Sequence, residues 1–522
     1  MKKIRWTTWA GYALLITAFL VLCVFQNRYM DAMLSSDDAS ELVLSKILSE
    51  NGGILSPKWY YSTEIRVLNA QIIWSILFHF IGSWHVVHLL GNIICFGILL
   101  LCLWGFCREF QMQRVFPVLG AFLLIPVSDL YYAFVLQNVC YIPYIATIFV
   151  MFAGLVYYVK GSSVAKTRVV LAFIAVFSIV NGMGGARQLL TFYLPFAIAV
   201  IIYVMFVAEG KTSEKRPIGI YMLVSLFGGA AGYMINSRLL SRRYFFAQYG
   251  DIRYSTFSWD RVIEVINGWL NTLGYKSGGK LFSVTTLFNV TAGITVVLVV
   301  YSIVKILKDT GSSWQLRLFA LYYAAAFTAY VLLYSMTDMD YSDRYNLPVT
   351  ACSYVLIFMY FYGKPDRGAK ERRQVIAGLA VLTLLLVGCG IFNYYPRVRG
   401  YNGNPRKDAV IAAVDQGYTC GYATFWNANI STELSDGKLE MWAWTDYPED
   451  ITELNAFPQW LRKVSHDLPP QQRVCVLLSS DEAQKFSFVE RIGEEHQVYM
   501  SDSYVVYGFE SVEKLRKIVE EE

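Results

Sequence analysis

The stretch that decides the fold is residues 8–41, TWAGYALLITAFLVLCVFQNRYMDAMLSSDDASE. Its first part, residues 8–26, is an apolar run long enough to cross a bilayer as a helix. It follows the basic residues Lys2, Lys3 and Arg5 and has no small-residue cleavage site, so we interpret it as a retained helix. A group of acidic residues, Asp31 to Glu41, follows it directly, so charged chemistry is placed at the membrane surface.

The composition of the whole chain indicates a membrane protein. Of its 522 residues, 55% are hydrophobic and 16% are charged, whereas soluble domains carry about 25% charged residues. The net charge is +5, and the basic groups lie between apolar runs and not on a soluble face, which excludes a nucleic-acid-binding globule. Nine cysteines dispersed over this length exclude a disulfide scaffold, and we interpret Cys420 and Cys475 as core thiols.

Apolar runs and loop charge predict the topology. The loops at one end of the runs are basic, and the positive-inside rule places them, with the N-terminus, on the cytoplasmic side of the plasma (cytoplasmic) membrane. An odd number of helices then places the acidic C-terminal tail outside. The prediction is a polytopic α-helical protein with about eleven transmembrane helices, near residues 8–26, 84–106, 115–132, 138–159, 167–182, 187–208, 217–236, 284–306, 317–335, 346–363 and 374–393.

Two domains follow from this pattern. Residues 1–394 form the transmembrane module, with a long outer loop over residues 26–83, and residues 395–522 form a small extracytoplasmic α/β domain. Within this tail we predict a helix over Asp408–Asp415, a buried strand over Arg473–Ser479 and a hairpin over Gln497–Phe509.

The acidic group of the first outer loop has two interpretations. Asp37 and Asp38, with Ser35 and Ser36, are suited to cap an amphipathic helix lying at the membrane surface. Alternatively, one of the two carboxylates accepts a proton from a hydroxyl while its neighbour holds the geometry or a divalent cation. Asp129, at the outer end of the third run, is predicted to lie on the same face.

Arginines on the predicted outer side need a reason, because the charge rule disfavours them there. Guanidinium groups bind phosphate bidentately, so Arg187 and Arg344 around a cleft suit a lipid phosphate. Arg238, Arg242 and Arg243 fit the same role or interfacial contact with lipid headgroups. Trp426 suits stacking on a sugar ring or packing in the tail core. His85 and His88 share a helix face, and interfacial packing is favoured over metal binding.

These features together resemble the GT-C superfamily, which comprises polytopic glycosyltransferases that use polyprenyl-linked sugar donors. The superfamily includes protein mannosyltransferases, oligosaccharyltransferases and aminoarabinose transferases. The resemblance implies that Asp37 or Asp38 acts as base or metal ligand and that Asp129 is the second outer carboxylate. It also implies Mg²⁺ or Mn²⁺ as a candidate ion and a single displacement with inversion. The implied partners are a polyprenyl-phosphate-linked sugar donor, a glycan, lipid or protein acceptor, and membrane lipids.

Three other functions stay open at this point. A polymerase or ligase that joins lipid-linked glycans shares multiple spans and a large outer loop. A transporter or flippase of lipid-linked glycans would also need outer arginines, but it should show polar residues through several spans and repeat symmetry. A non-enzymatic scaffold would not need charged residues facing a cleft.

Overall fold

The computed structural model describes residues 2–61, 65–161, 163–208, 212–246, 252–309, 311–362, 369–444, 451–454, 461–462 and 469–520. The helices of its membrane part are, in chain order, α1 Lys2–Met33, α2 Ser36–Asn51, α3 Gln71–Phe78, α4 Trp84–Glu109, α5 Phe116–Leu124, α6 Asp129–Tyr131, α7 Ile142–Val159, α8 Val164–Gly182, α9 Ala186–Gln188, α10 Leu194–Ile202, α11 Thr212–Met234, α12 Trp259–Thr272, α13 Val284–Lys308, α14 Trp314–Ser335, α15 Leu347–Tyr362 and α16 Ala369–Arg399. Four π-helical stretches extend some of them, namely Tyr132–Gln137, Leu189–Tyr193, Tyr203–Val207 and Ile235–Leu239, and two 3-10 turns are Leu240–Arg242 and Asp343–Asn346.

The predicted spans are present as helices. Within the described residues, nine helices are long and apolar enough to cross a membrane, or ten if a bent pair is counted as one span. The predicted run at residues 346–363 corresponds to α15, which has 16 residues, 14 of them buried inside the protein. It is therefore a short, enclosed helix, and this accounts for the difference from about eleven.

The bent pair lies in the third predicted run. Here α5 and the helix Asp129–Gln137 meet at 93°. Pro126 causes the break, because a residue before proline is driven out of the helical region, and Ile125 is extended with ψ 128°. The next helix starts at its N-cap Ser128, whose hydroxyl accepts a hydrogen bond from the Tyr131 N–H. The break places Asp129 at the start of a helix near the end of the bundle.

Helix α2 differs from the prediction of an amphipathic helix at the membrane surface. Twelve of its 16 residues are buried, because it packs between α3 on one side and a helix of the C-terminal domain on the other. The Ser36 hydroxyl donates to the backbone oxygen of Phe425 at 2.7 Å, and Asn429 donates to the Ser40 hydroxyl at 2.7 Å. The expected surface position was wrong because the tail covers the face that a single helix would leave to solvent.

The C-terminal domain is the predicted small α/β domain. Its five-stranded sheet has the order β3 (Glu440–Ala443), β2 (Cys420–Ala423), β5 (Val474–Ser479), β7 (Tyr504–Phe509) and β6 (Gln497–Met500). Strands β3, β2 and β5 are parallel to one another, β7 is antiparallel to β5, and β6 is antiparallel to β7. The predicted helix, strand and hairpin are confirmed as α17, β5 and β6–β7, and Cys420 and Cys475 are buried free thiols. The elements are α17 Pro405–Asp415, β2 Cys420–Ala423, α18 Phe425–Leu434, β3 Glu440–Ala443, β5 Val474–Ser479, α19 Ser480–Ala483, β6 Gln497–Met500, β7 Tyr504–Phe509 and α20 Val512–Glu520, with 3-10 turns at Ser487–Arg491 and Glu494–His496.

The first loop and the tail form one layer at the same end of the bundle. Strand β1 (Trp59–Tyr60) of the loop pairs antiparallel with β4 (Leu461–Arg462) of the tail. Two histidines of α4 add polar links: His85 lies 2.6 Å from the Asp31 carboxylate, which also binds Lys407 of the tail. His88 lies 2.8 Å from Glu433 of α18. These contacts fix the tail over the acidic group of the first loop.

Candidate active site

The first turn of α2 turns its two aspartates in different directions. Ser35 is the N-cap, and its hydroxyl accepts a hydrogen bond from the Asp38 N–H at 3.3 Å. In return, the Asp38 carboxylate accepts from the Ser35 N–H at 3.1 Å, which completes a capping box. The Asp38 residue is 1% exposed, whereas one third of the Asp37 side chain is exposed. The cap therefore uses Asp38 and leaves Asp37 partly exposed, in a group with Arg344, Arg66 and Arg187 that we call the cleft.

Asp38 is saturated with hydrogen bonds. Gln137 donates to its Oδ2 at 2.9 Å, and Asn138 donates to its Oδ1. Burial raises the pKa of the Asp38 carboxyl, while the positive field of His88 and these hydrogen bonds oppose that shift. Because its oxygens are already occupied by protein donors, Asp38 is placed to position the turn rather than to receive a proton from a substrate.

Asp37 forms an ion pair across the cleft. Its Oδ2 lies 3.4 Å from a guanidinium nitrogen of Arg344, which is one third exposed. The same guanidinium lies over the ring of Phe134, with its central carbon 5.1 Å from the ring centre. The Nε of Arg344 is buried without a hydrogen-bond partner among the described residues. This leaves Arg344 with a donor that a ligand oxygen could satisfy.

A second carboxylate–guanidinium pair lies one helical turn further. Glu41, at i+4 from Asp37, shares its helix face and is 6% exposed. Arg66 lies 3.3 Å from its Oε1, and Asn69 donates to its Oε2 at 3.4 Å. Burial raises the pKa of the Glu41 carboxyl, Arg66 opposes that shift, and the charges of Asp37 and Asp38 add to it. Two acid–arginine pairs thus stand side by side on α2.

Arg187 is the third arginine of this group. It follows Gly185, whose φ of 97° is open to glycine without steric cost, in the short helix α9. Its guanidinium lies 4.9 Å from the ring centre of Tyr345, the residue next to Arg344. The Tyr345 ring therefore links Arg187 to Arg344, the two arginines that the sequence singled out.

A small cavity of about 10 Å³ lies beside Arg66 and Asn69. Arg66, Asn69 and Gln188 contribute polar groups to its wall, and Cys140 and Tyr144 contribute apolar ones. The volume suits about one water molecule, so a larger ligand needs the walls to move apart.

Comparison with known proteins decides the fold. No family model matches the chain, and no curated protein is significantly similar to it. The crystal structure of ArnT from Cupriavidus metallidurans bound to undecaprenyl phosphate matches with a TM-score of 0.61 at 12% identity, over 95% of this chain and 97% of that chain. This chain has the ArnT fold. The apo structure of the same ArnT matches with a TM-score of 0.58 at 12% identity, over 96% of this chain and 98% of that chain.

The match confirms the predicted fold class and the predicted resemblance at the level of the fold. It covers both the membrane part and the C-terminal domain, since nearly the whole of each chain is aligned. At 12% identity the match shows the fold alone, so the chemistry of this chain depends on its own side chains.

The other predicted site residues lie at three other places in the fold. Asp129 is held by Lys276 at 3.0 Å and Arg397 at 2.8 Å, at the start of the helix after the break. Trp426 is 47% exposed in the first turn of α18, beside Phe425, whose backbone oxygen binds Ser36. The three remaining arginines are exposed at the end of the α11 span, namely Arg238, Arg242 and Arg243.

Sequence reasoning missed Glu41, Arg66 and Asn69 as site residues. Glu41 carried a usable signal, because it stands four residues after Asp37 on a predicted helix. Arg66 and Asn69 carried none, since they reach Glu41 from an irregular segment of the loop.

The carboxylates do not form a metal-binding donor set. Asp37 and Glu41 each bind a guanidinium, and Asp38 is turned into the helix cap. Across the ranges that the structure describes, no three His, Cys, Asp or Glu side chains are grouped so that they could hold a metal ion. Asp37 and Asp38, the ligands that the resemblance implied for Mg²⁺ or Mn²⁺, are both engaged with protein groups, and we assign the reaction to side chains.

Proposed function

We propose that the protein is a membrane glycosyltransferase that moves a sugar from a polyprenyl-phosphate-linked donor to an acceptor hydroxyl, with inversion at the anomeric carbon. The observation that carries the proposal is the placement of Asp37 among Arg344, Arg187 and Arg66 at one end of an ArnT-like bundle. The ArnT structure in the comparison is bound to undecaprenyl phosphate, which supports a lipid phosphate as the ligand of this cleft.

In the proposed reaction, Asp37 accepts the proton of the acceptor hydroxyl as that oxygen attacks the anomeric carbon. The bond from the anomeric carbon to the phosphate oxygen breaks, and the electron pair leaves with the polyprenyl phosphate. Arg344 and Arg187 stabilise the charge that grows on this leaving group, because guanidinium forks match phosphate oxygens. One displacement inverts the configuration. The activated donor supplies the energy, so no nucleotide is needed.

The neighbouring residues position this pair. The capping box of Asp38 fixes the first turn of α2 and hence the direction of the Asp37 side chain. Glu41 holds Arg66 beside the cleft, so a cation stays available at the phosphate. Asp129 joins the helix after the break to the end of α16 through Arg397. Trp426, near the start of α2, offers an aromatic face to the acceptor.

We also propose the orientation that the loop charges predict, with the N-terminus inside and the tail outside the plasma membrane. The cleft is then on the extracytoplasmic face, because the tail covers it. A fusion reporter at the C-terminus that reports a cytoplasmic tail would contradict this orientation.

The test is transfer by the purified protein in nanodiscs, supplied with a panel of undecaprenyl-phosphate-linked sugars and a membrane lipid extract as acceptor source. Released undecaprenyl phosphate and acceptor-bound sugar are measured together. Asp37→Asn should lower the rate on the order of 10²–10⁴-fold, the usual contribution of general acid–base catalysis. Asp260→Asn, which changes an exposed carboxylate at the start of α12, is the matched control. Wild-type rates in Asp37→Asn would refute the assignment.

A further inference from the structure

A separate cavity of about 150 Å³ lies between the C-terminal half of α2 and the edge strand β3 of the tail sheet. Three tryptophans, Trp59, Trp84 and Trp442, contribute to its wall, and Glu440 and Arg462 stand in the same lining. Its volume is enough for one sugar ring or several water molecules. None of the residues assigned to catalysis lines it.

The charges around this cavity are held in pairs. The Arg462 guanidinium lies 3.4 Å from Glu440 and 3.7 Å from Glu50, and Lys46 lies 3.8 Å from Glu50. Asp436 adds a further carboxylate to the lining. Since the cations are already matched by acids, the cavity has no surplus positive charge for a phosphate or another anion.

Trp442 is the observation that points to a ligand. It is 4% exposed, and its Nε1 is buried without a hydrogen-bond partner among the described residues. A buried donor without an acceptor is unfavourable, and since Trp442 contributes to the cavity wall, a ligand oxygen that reaches this N–H would satisfy it. Aromatic walls with a few fixed polar groups suit a molecule that has both apolar faces and hydroxyl groups, which is the chemistry of a carbohydrate.

The distance between the cavity and Asp37 indicates which part of a carbohydrate the cavity binds. Asp37 and Lys46 are nine residues apart on α2, a distance of about 14 Å at roughly 1.5 Å per residue. A sugar in the cavity is therefore too far from Asp37 to react. Asn429, which also lines the cavity, donates to Ser40 of α2, so cavity and catalytic turn are joined by one rigid helix.

We propose that this cavity is a subsite for a neutral sugar unit of an oligosaccharide acceptor, remote from the hydroxyl that reacts. That the bound glycan is the acceptor rests on the proposed function, whereas the binding of a glycan in this cavity does not depend on it. It implies that the acceptor is an oligosaccharide rather than a single sugar or a plain lipid.

The experiment measures glycan binding without any donor. Full-length protein in nanodiscs is screened on an array of neutral, amino and acidic oligosaccharides, and the strongest binder is titrated by calorimetry. Trp442→Phe keeps an aromatic side chain of smaller size and removes the N–H, so the dissociation constant should rise about three- to tenfold. Trp444→Phe is the matched control, because Trp444 is equally buried with an unpartnered Nε1 but does not line the cavity.

A second variant, Glu440→Gln, replaces a charged acceptor in the lining by a neutral one and should also weaken binding. It decides the question if Trp442→Phe does not fold. No binding by the wild type across the array, or equal weakening by Trp442→Phe and Trp444→Phe, would overturn the subsite. Glycan binding that persists while sugar transfer is absent would contradict the proposed function alone.

Discussion

The same substitution at the adjacent residues Asp37 and Asp38 should affect different properties. At Asp38 it should lower the stability of the fold, and at Asp37 it should abolish sugar transfer. Asp38→Ala removes the half of the capping box that accepts from the Ser35 N–H, and it leaves one N–H of Gln137 and one of Asn138 without an acceptor, at about 1–3 kcal/mol each. The substitution also removes the desolvation cost of a buried carboxylate, which offsets part of this loss of stability. We expect a net loss on the order of 2–4 kcal/mol.

Asp37→Ala removes one partly exposed ion pair with Arg344, and such pairs contribute about 0–1 kcal/mol. Its unfolding should therefore stay near that of the wild type, while its transfer activity is lost. The size of each loss of stability follows from burial, because the Asp38 residue is 1% exposed whereas one third of the Asp37 side chain is exposed.

The assay is thermal unfolding of both variants in one detergent, followed by tryptophan fluorescence, with transfer measured on the same samples below the unfolding temperature. The expected result is a lower midpoint for Asp38→Ala and an unchanged midpoint with lost transfer for Asp37→Ala. Equal midpoints for the two variants, or a greater loss of stability in Asp37→Ala, would refute the division of roles read from the capping box.

Three further predictions concern the arginines, the third carboxylate and the thiols. Arg187→Lys and Arg344→Lys keep the charge but lose the fork, so transfer should fall while expression and membrane insertion persist; unchanged donor kinetics in both would remove them from the site. Asp129→Asn should lower transfer less than tenfold, far less than Asp37→Asn, because Asp129 binds Lys276 and Arg397 instead of the cleft; a loss as large as that of Asp37→Asn would restore its catalytic role. Cys420 and Cys475 should react with a maleimide only after denaturation, without prior reduction, and a need for a reductant would show a disulfide.

The fold could be predicted from the sequence to the extent that local pattern decides it. Apolar length gave the helices, and the strand and hairpin of the tail followed from alternation and turn residues. The sharp bend at Pro126 is also a local effect, although the apolar run at residues 115–132 hides it. The burial of α2 is not local, because it depends on Asn429 and Phe425 of a domain almost 400 residues away.

The site was predictable in kind but not in its division of labour. Asp38 stands three residues after Ser35, the spacing of a capping box, so part of the difference between Asp37 and Asp38 is local. The contacts of Asp38 with Gln137 and Asn138, about a hundred residues further on, need the tertiary fold. Arg187 and Arg344 were found because the charge rule makes outer arginines exceptional. Arg66 was missed because its role depends on Glu41, and that pairing needs the tertiary fold.

The most direct test of the central claim is a structure of the protein with undecaprenyl phosphate, solved in nanodiscs. The account predicts phosphate density between Arg344 and Arg187, within hydrogen-bond distance of the buried Arg344 Nε and next to Asp37. Phosphate bound instead at Arg238, Arg242 and Arg243, or at Lys276 and Arg397, with Asp37 still paired to Arg344, would contradict it.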